Sequence, residues 1–535
     1  MIQTERELIR ALGTVENIIV FGDQAKALSC LECLDANGLY TRVHVAVSNP
    51  QNSNRRALTH RVQSIRSLVH LADNSVVLVA IDKKFHTDVE DMLSTLGFGN
   101  VISFGDDLVA DLVWRYDGYT HSAERKKQEF LQLRTMNMIK QNHLRDKVRS
   151  GEKIKVLFLL TSPAKFSFGP IYHAMEKRDC FEVVIFCTDD RYSDLLGPGE
   201  FSAYTAELRH QGFHVIEAIR EGDAVTVDSL CPDIIFYNNP NMFNRDTGES
   251  IYRLVCNYLS CYIPYGLHVS NEFEYHFEHE NILPAWLHFC DTRPAYDLCL
   301  HHALSGGVNA VLSGHTIFDP YVEETDRKPF EKILNGKKIV VYAPHWSVAS
   351  WHNTSSFHIH YKYFLSLLKE HPDVNFVFKP HQTLKVELTN RGGKNGIPTA
   401  EEYAAYCREW NDSPNGMVVM DSSYIDLFKL SDCLITDSYS FILSWLPSEK
   451  PCIFLVNPQG PEDYLKYYYD FIHPVIDSYY TGKTEEEIDA IFHQVVLDGI
   501  DPKAEERLQQ KEKVLYNYGC AGEFIAEYIE RQLRN

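Results

Sequence analysis

The chain has 535 residues, 44% of them hydrophobic and 12% aromatic, which is enough apolar material for about three domains with full cores and excludes a mainly disordered protein. Its net charge of -21 disfavours nucleic acid or an anionic bilayer as a partner of the whole surface, because both attract clustered Lys and Arg. No run approaches the ~20 uncharged apolar residues of a membrane helix, and the first residues, MIQTERELIR, lack a signal-peptide pattern. We therefore expect a cytoplasmic protein, with peripheral association at the inner face of the membrane left open.

The first predicted unit covers residues 1–118. Strands are expected at 17–22, 41–47, 75–81 and 100–105, with helices at 25–36 and 85–96, and this alternation predicts a small parallel, Rossmann-like domain. The turn at 22–25, GDQA, lacks the G-x-G-x-x-G pattern of a dinucleotide site. Through the segment LVAIDKKFHTDVEDMLSTLGFGNVISF, the unit resembles the Rossmann-like domains that precede many surface-sugar enzymes.

The 13 cysteines are scattered, as expected of reduced, mostly buried thiols. Cys30 and Cys33 have CxxC spacing, but they fall inside the predicted helix and have no second pair to complete a zinc site. We therefore predict that they pack in the core, and we predict neither a metal nor a cofactor.

Residues 119–152 are charged, with a basic excess and apolar residues at helical intervals, which predicts a connecting helix. A membrane-facing or partner-facing role for this helix is the alternative. The next unit, 153–325, has predicted strands at 154–161, 181–188, 213–219, 232–240 and 259–269, and it closes near 309–319. The strand and helix rhythm then restarts over 326–535 and ends in a helical tail.

Three strand ends in the last unit carry the candidate ligand-binding residues. In KKIVVYAPHWS, NFVFKPHQTLK and CLITDSYSF, an apolar run stops at polar residues, which is typical of buried parallel strands that deliver side chains to the carboxyl edge of a sheet. The third segment also begins a helix, whose N-terminus favours a diphosphate. The resulting candidates are His345, Lys379, His381, Asp437, Ser438 and Ser440.

The order and spacing of VVYAPHWS, FVFKPHQTLK, YIDLFKLSDCLITDSYSF and KPCIF resemble the CDP-glycerol glycerophosphotransferase family of teichoic-acid-type and capsule enzymes. The resemblance runs from about residue 153 to the C-terminus. It implies an α/β protein with a GT-B-like pair of Rossmann-like lobes. The acceptor lobe would be 153–325, and the donor-nucleotide lobe would be 326–535 with the C-terminal helix.

The resemblance also implies roles for individual residues. His381 would contact the donor diphosphate, with Lys379 adding positive charge and Ser438 and Ser440 adding hydrogen bonds. In the family reaction a hydroxyl attacks the β-phosphorus of CDP-glycerol and CMP leaves, so the site must stabilise phosphate charge and accept one proton. His268, which follows an apolar strand of the facing lobe, is the candidate base. His381 and His268 are thus the candidate catalytic residues.

Each candidate has an alternative. His276 is a rival base and His279 a further one, while His345 and His381 could simply cap strand ends. Asp437 could be only a helix cap. Tyr424 and Asp426 could either fix a loop against the core or contact the nucleotide. The histidines 352, 358 and 360 and the pair Asp189 and Asp190 are weaker candidates for metal ligands, because no third carboxylate or Cys cluster accompanies them.

Three departures from the family pattern leave the donor open. Ser347 stands where the family often has Arg, Ser444 where an acid is usual, and Gln382 where K-P-H is followed by Pro. The first hypothesis is a transferase that moves glycerol phosphate, or a related polyol phosphate, from a CDP-activated donor onto a surface-polysaccharide acceptor, lipid-linked or not. The alternatives are a GT-B glycosyltransferase using a nucleotide-sugar and a catalytically silent scaffold subunit of the same pathway.

Overall fold

The structure is a computed structural model that contains three large, mainly parallel β-sheets, which follow one another along the chain. The residues it describes are 4–22, 25–49, 56–57, 60–81, 83–105, 108, 112, 118–162, 165–188, 200–220, 223–240, 251–348, 354–394, 396–420 and 424–534. Within them, no helix is both long enough and apolar enough to cross a membrane.

The first sheet has six strands in the order β3-β4-β2-β1-β5-β6, and all neighbours are parallel except β3 and β4. Its strands are β1 Asn17–Phe21, β2 Val43–Val47, β3 Arg56–Ala57, β4 His60–Ser64, β5 Ser75–Val79 and β6 Val101–Ser103. Its helices are Glu5–Leu12, Ala25–Ala36 and His86–Thr95. Cys30 and Cys33 are fully buried in its core, as free thiols.

The helix Gly118–Arg149 leads into a second, seven-stranded sheet in the order β15-β14-β13-β12-β7-β8-β9, with all neighbours parallel. The strands of this unit are β7 Ile154–Leu160, β8 Phe181–Cys187, β9 Val215–Glu217, the small hairpin β10 Ile219–Arg220 with β11 Asp223–Ala224, β12 Ile234–Tyr237, β13 Leu259–Tyr262, β14 Leu287–Cys290 and β15 Ala310–Leu312. Its helices are Gly169–Glu176, Glu200–His210, Val227–Leu230, Ile251–Asn257, Glu274–Glu278 and Arg293–His302.

The third sheet has six parallel strands in the order β18-β17-β16-β19-β20-β21. They are β16 Lys338–Ala343, β17 Val374–Phe378, β18 Gly416–Val418, β19 Cys433–Thr436, β20 Cys452–Leu455 and β21 Tyr480–Gly482. The helices around it are Phe357–Glu370, Leu384–Arg391, Ala400–Asp412, Ile425–Leu430, Tyr439–Trp445, His473–Asp477, Glu485–Phe492 and Ala504–Val514. The predicted α/β class, a Rossmann-like sheet followed by a GT-B-like pair, is confirmed.

The last helix, Ala521–Arg534, follows the third sheet in the chain and packs on the second sheet. Ile525, Ile529 and Leu533 lie in the same buried cluster as β7 and β8. Gly522 permits the close approach, because an added Cβ would come within 2.6 Å of Pro170. A long-range hydrophobic face therefore decides where this helix packs.

Asp319 anchors the start of this last helix. Its two carboxylate oxygens accept the backbone N–H groups of Ala521 at 2.9 Å and Gly522 at 2.8 Å. These are two of the donors that the first turn of a helix cannot satisfy internally. Burial raises the pKa of Asp319 to about 6, against the effect of these hydrogen bonds.

Asp319→Ala should make the amides of 521–534 exchange faster and should destabilise the protein by ~1–3 kcal/mol, because two buried N–H groups lose their acceptor. Hydrogen exchange and thermal unfolding measure the two effects. Glu324→Ala, which removes an exposed carboxylate nearby, is the control. Equal exchange in the two variants would contradict the anchoring role.

Candidate functional site

The carboxyl edge of the third sheet brings the predicted donor residues together. Tyr342 of β16 is level with Phe378 of β17 and Ile435 of β19, so the three strands end side by side. As a result, the ring centres of His345 and His381 are 5.5 Å apart. Two of the three predicted strand ends thus present imidazole rings to the same space.

His381 is held as a neutral hydrogen-bond donor. Its Nδ1 accepts the backbone N–H of Thr383 at 3.2 Å and lies 2.9 Å from the Thr383 hydroxyl. An accepting Nδ1 assigns the proton of the neutral ring to Nε2. Burial, and then the charge of Lys379, lowers the pKa of His381 to about 4. At neutral pH the ring therefore offers an Nε2–H and no charge.

His345 is fixed by short hydroxyl contacts. Its Nδ1 lies 2.8 Å from the Oγ of Ser347, which in turn is 2.9 Å from the Oγ1 of Thr354. Burial, and then His381, keeps the pKa of His345 well below its usual value. The serine that replaces the family's arginine is fully buried and orients this ring.

Asp437 supports the loops around the two rings. Its Oδ1 accepts the backbone N–H of His345 at 2.5 Å, and its Oδ2 accepts the N–H and hydroxyl of Ser356 at 2.6 and 2.9 Å. Burial raises its pKa to about 6 although these bonds oppose the rise. Since both oxygens already accept protein donors and a carboxylate repels a diphosphate, this geometry favours a supporting role over ligand contact.

The remaining predicted donor residues line the same edge. Ser438 is the N-cap residue of the seven-residue helix Tyr439–Trp445, and its Oγ is 3.4 Å from that of Ser440. The side chain of Lys379 is largely buried, with its Nζ 6.0 Å from the ring centre of Tyr424. Hydroxyls and one amine therefore accompany the histidine pair.

Ser444 is fully buried in the helix Tyr439–Trp445 and does not face the solvent at this edge. Its buried Oγ donates to the carbonyl of Ser440 at 2.9 Å and is 3.0 Å from the hydroxyl of Tyr424, and its carbonyl accepts from Tyr321 at 2.5 Å. The hydroxyl of Tyr424 is thus hydrogen-bonded to Ser444. Asp426 forms an ion pair with Lys429 at 3.6 Å. These contacts are those of loop-packing residues.

In the second sheet, His268 forms a buried pair with Asp291. The carboxylate accepts the backbone N–H of His268 at 2.7 Å and lies 2.8 Å from its Nδ1. The Nε2 of His268 is buried and has no hydrogen-bond partner among the described residues. Burial would raise the pKa of Asp291, but the charge and hydrogen bonds of His268 bring it below its usual value.

Asp291 was not predicted from the sequence. It follows β14, Leu287–Cys290, a fully buried strand that stops at an acidic residue, much as the strands of the third sheet stop at polar residues. The strand itself escaped prediction because it contains no β-branched residue.

The two rival bases differ in position. The ring of His276 stands perpendicular to that of His268 with centres 4.9 Å apart, and its Nδ1 is 2.9 Å from the hydroxyl of Tyr469. Burial, and then His268, keeps the pKa of His276 well below its usual value. His279 instead uses its Nδ1 to accept the backbone N–H of Asn281 at 3.1 Å. His268 and His276 therefore lie together, while His279 supports its own loop.

A tyrosine-rich segment, residues 467–469, lies between strands β20 and β21 of the third sheet and contacts the loop that carries His268. The N–H of Tyr469 donates to the carbonyl of Val269 at 3.1 Å, and the N–H of Asn271 donates to the carbonyl of Tyr467 at 2.9 Å. The lobes are thus joined by backbone hydrogen bonds beside the candidate base.

The same segment is connected to His345 by contacts between aromatic rings. Tyr468 stacks on Tyr439 with ring centres 4.7 Å apart, and Tyr439 lies 5.6 Å from the ring of His345. A continuous set of contacts therefore runs between the two half-sites.

The other candidates do not join this site. His360 is buried, 3.9 Å from Glu485, while His352, Asp189 and Asp190 lie outside the described residues. In the part of the chain that the structure covers, no group of three or more His, Cys, Asp or Glu is arranged to hold a metal ion.

The pKa values of His381 and Asp437 predict how the stability of the fold depends on pH. His381 has a pKa of about 4 in the fold and ~6.5 unfolded, so the unfolded chain binds more protons between these values and this group's contribution to stability rises with pH. Asp437, at about 6 against ~3.9 unfolded, contributes in the opposite direction. Wild type should therefore gain stability relative to His381→Gln as pH rises from ~4 to ~6.5.

Thermal unfolding of both proteins across this range measures the difference. His493→Gln, at a half-exposed histidine of the same lobe, controls for loss of an imidazole. A stability difference between wild type and His381→Gln that is constant or shrinks with pH would contradict the assignment.

Several solved structures resemble the chain. S. aureus MnaA with UDP is 14% identical, covers 71% of this chain and 97% of its own, and has a TM-score of 0.43. UDP-GlcNAc 2-epimerase from Neisseria meningitidis is 13% identical, covers 71% and 100%, and has a TM-score of 0.44. A variant of the wall teichoic acid polymerase TagF is 13% identical, covers 77% and 98%, and has a TM-score of 0.47.

No curated protein sequence matches the chain. A family model does match, over residues 310–489, and its description is CDP-glycerol:poly(glycerophosphate) glycerophosphotransferase. This region contains His345, His381 and Asp437 with the strands that position them. The resemblance seen in the sequence is thereby confirmed, and residues 310–489 carry the signature of the CDP-glycerol:poly(glycerophosphate) glycerophosphotransferase family.

Proposed function

We propose that this protein transfers glycerol phosphate, or a related polyol phosphate, from a CDP-activated donor onto a hydroxyl group of a surface-polysaccharide precursor of the teichoic-acid or capsule type. The observation that carries the proposal is the pair formed by His345 and His381, 5.5 Å apart at the carboxyl edge of the sheet that lies within the family match. Open α/β sheets bind ligands at this edge.

The donor diphosphate would lie against the third sheet. The Nε2–H of His381, the amine of Lys379 and the hydroxyls of Ser438 and Ser440 supply hydrogen-bond donors and one positive charge. When the acceptor oxygen bonds to the β-phosphorus, the bridging oxygen leaves with CMP and carries the electron pair of the broken bond. Fixed donors at these oxygens stabilise the charge that develops there.

The acceptor hydroxyl would lie against the second sheet, where the Nε2 of His268 accepts its proton. This nitrogen is buried, so entry of an acceptor requires the groups around it to move. The segment 467–469, which bonds to the loop of His268 and packs toward His345, is placed to make that movement depend on the donor lobe.

We further propose that the protein works in the cytoplasm and associates with the inner face of the membrane, where a lipid-linked acceptor would be found. The helix Gly118–Arg149 exposes Leu131, Met138 and Ile139, each more than half exposed, beside the exposed Arg134. Apolar side chains flanked by basic ones favour an interfacial position.

A nucleotide-sugar donor is the second candidate. The observation that favours it is Ser444, which stands where the family usually has an acid and is bonded to Tyr424 inside the fold. Without that acid, the polyol hydroxyls lose a predicted acceptor, while the contacts to a diphosphate are unaffected.

The nucleotide released decides between the candidates. With a short poly(glycerophosphate) primer and CDP-glycerol, CDP-ribitol, UDP-GlcNAc or a GDP-sugar as donor, we expect CMP from a CDP-polyol and no product from the others. Chromatography of the nucleotides measures this. Release of UDP or GDP would establish the glycosyltransferase, and binding of a donor without any release would establish the silent subunit.

A further inference from the structure

We infer that Asp291 is the positioning residue for His268, fixing its ring and tautomer so that Nε2 keeps a free lone pair for the acceptor proton. The inference rests on the proposed function, in which His268 is the base, and it adds a residue that neither the sequence pattern nor the family match assigns.

Both carboxylate oxygens of Asp291 contact His268. Oδ2 accepts the backbone N–H of His268 at 2.7 Å, and Oδ1 faces Nδ1 at 2.8 Å. An ionised carboxylate can only accept, so the proton of the neutral imidazole must be on Nδ1. The lone pair is then on Nε2, the nitrogen without a partner among the described residues.

The other contacts of the ring restrict its orientation. Phe277 stacks on its face with ring centres 5.0 Å apart and planes 10° apart, and His276 meets it at 90°. Together with the two hydrogen bonds to Asp291, these contacts fix the ring, and Nε2 is its one polar atom without a hydrogen-bond partner among the described residues.

A purely structural histidine would not require this arrangement. A buried carboxylate is weak evidence of stability, because the cost of its desolvation offsets most of the attraction to its partner. A buried nitrogen without a partner adds a further cost. A role for Nε2 as proton acceptor therefore explains the pair better than a contribution of the ring to packing does.

During transfer, Nε2 takes the proton of the acceptor hydroxyl as its oxygen bonds to phosphorus and CMP departs with the electron pair. The imidazole becomes an imidazolium, and the adjacent carboxylate stabilises its positive charge. Asp291 touches neither substrate and acts only through His268. The proton then leaves Nε2 to solvent when the site opens.

Asp291→Asn tests the inference. The backbone N–H of His268 still needs an acceptor, so the amide oxygen replaces Oδ2 and the NH₂ group faces Nδ1. This group donates to Nδ1 and moves the ring proton to Nε2. We expect kcat to fall by ~10²–10⁴ with KM for the donor unchanged, as for loss of a general base.

The tautomer can be read without any turnover, by ¹⁵N NMR of histidine-labelled protein with the His268 signals assigned from their absence in His268→Gln. Wild type should show the proton on Nδ1, and Asp291→Asn should show it on Nε2. Asp297→Asn, which changes a partly buried carboxylate on the following helix, should alter neither the tautomer nor kcat. His276→Ala should leave the tautomer unchanged.

An unchanged tautomer or near wild-type kcat in folded Asp291→Asn would overturn the inference, and a large rise in KM for the donor would assign this loop to donor binding instead. If Asp291→Asn does not fold, Asp291→Ala replaces it, with recovery of turnover by added formate supporting the inference and no recovery in the folded variant opposing it. If wild type releases no nucleotide from any donor, the proposed function fails, while the tautomer measurement still decides the role of Asp291.

Discussion

The arrangement of the histidines at the carboxyl edge of the third sheet depends on one buried carboxylate. Asp437 holds the loop of His345 and the start of the helix Phe357–Glu370 through three hydrogen bonds, and His345 then faces His381 across the ends of adjacent strands. With a pKa of about 6, the group is mostly ionised at neutral pH and can accept all three donors. Protonation converts one oxygen into a donor and weakens the arrangement.

The two lobes use histidine in different ways. Around His381, burial and a neighbouring lysine keep the ring neutral, so its Nε2–H can donate a hydrogen bond to the phosphate of the proposed donor. Around His268, a carboxylate holds the proton on Nδ1, so the ring serves as an acceptor. The segment 467–469 hydrogen-bonds to the loop of His268 and packs toward His345, so it connects the two regions where the proposed donor and acceptor would meet.

Much of the third sheet could be predicted because its apolar runs end abruptly at polar residues. The role of Asp437 could not, since its donors lie 81 and 92 residues away in the chain and local spacing gives no information about them. Asp291 was missed together with β14, whose four residues include no β-branched side chain and are interrupted by His288. The docking of the last helix on the second sheet likewise depends on a long-range hydrophobic face that the tail's own sequence does not locate.

In the proposed reaction, the diphosphate of the donor binds through His381 at the third sheet. Calorimetric titration of wild type and His381→Ala with CDP tests it most directly, with His493→Ala as the control. A hydrogen bond to a charged group contributes ~1.5–3 kcal/mol, so we expect CDP to bind about 10- to 100-fold more weakly to His381→Ala and with unchanged affinity to the control. Equal affinity of wild type and folded His381→Ala would contradict it.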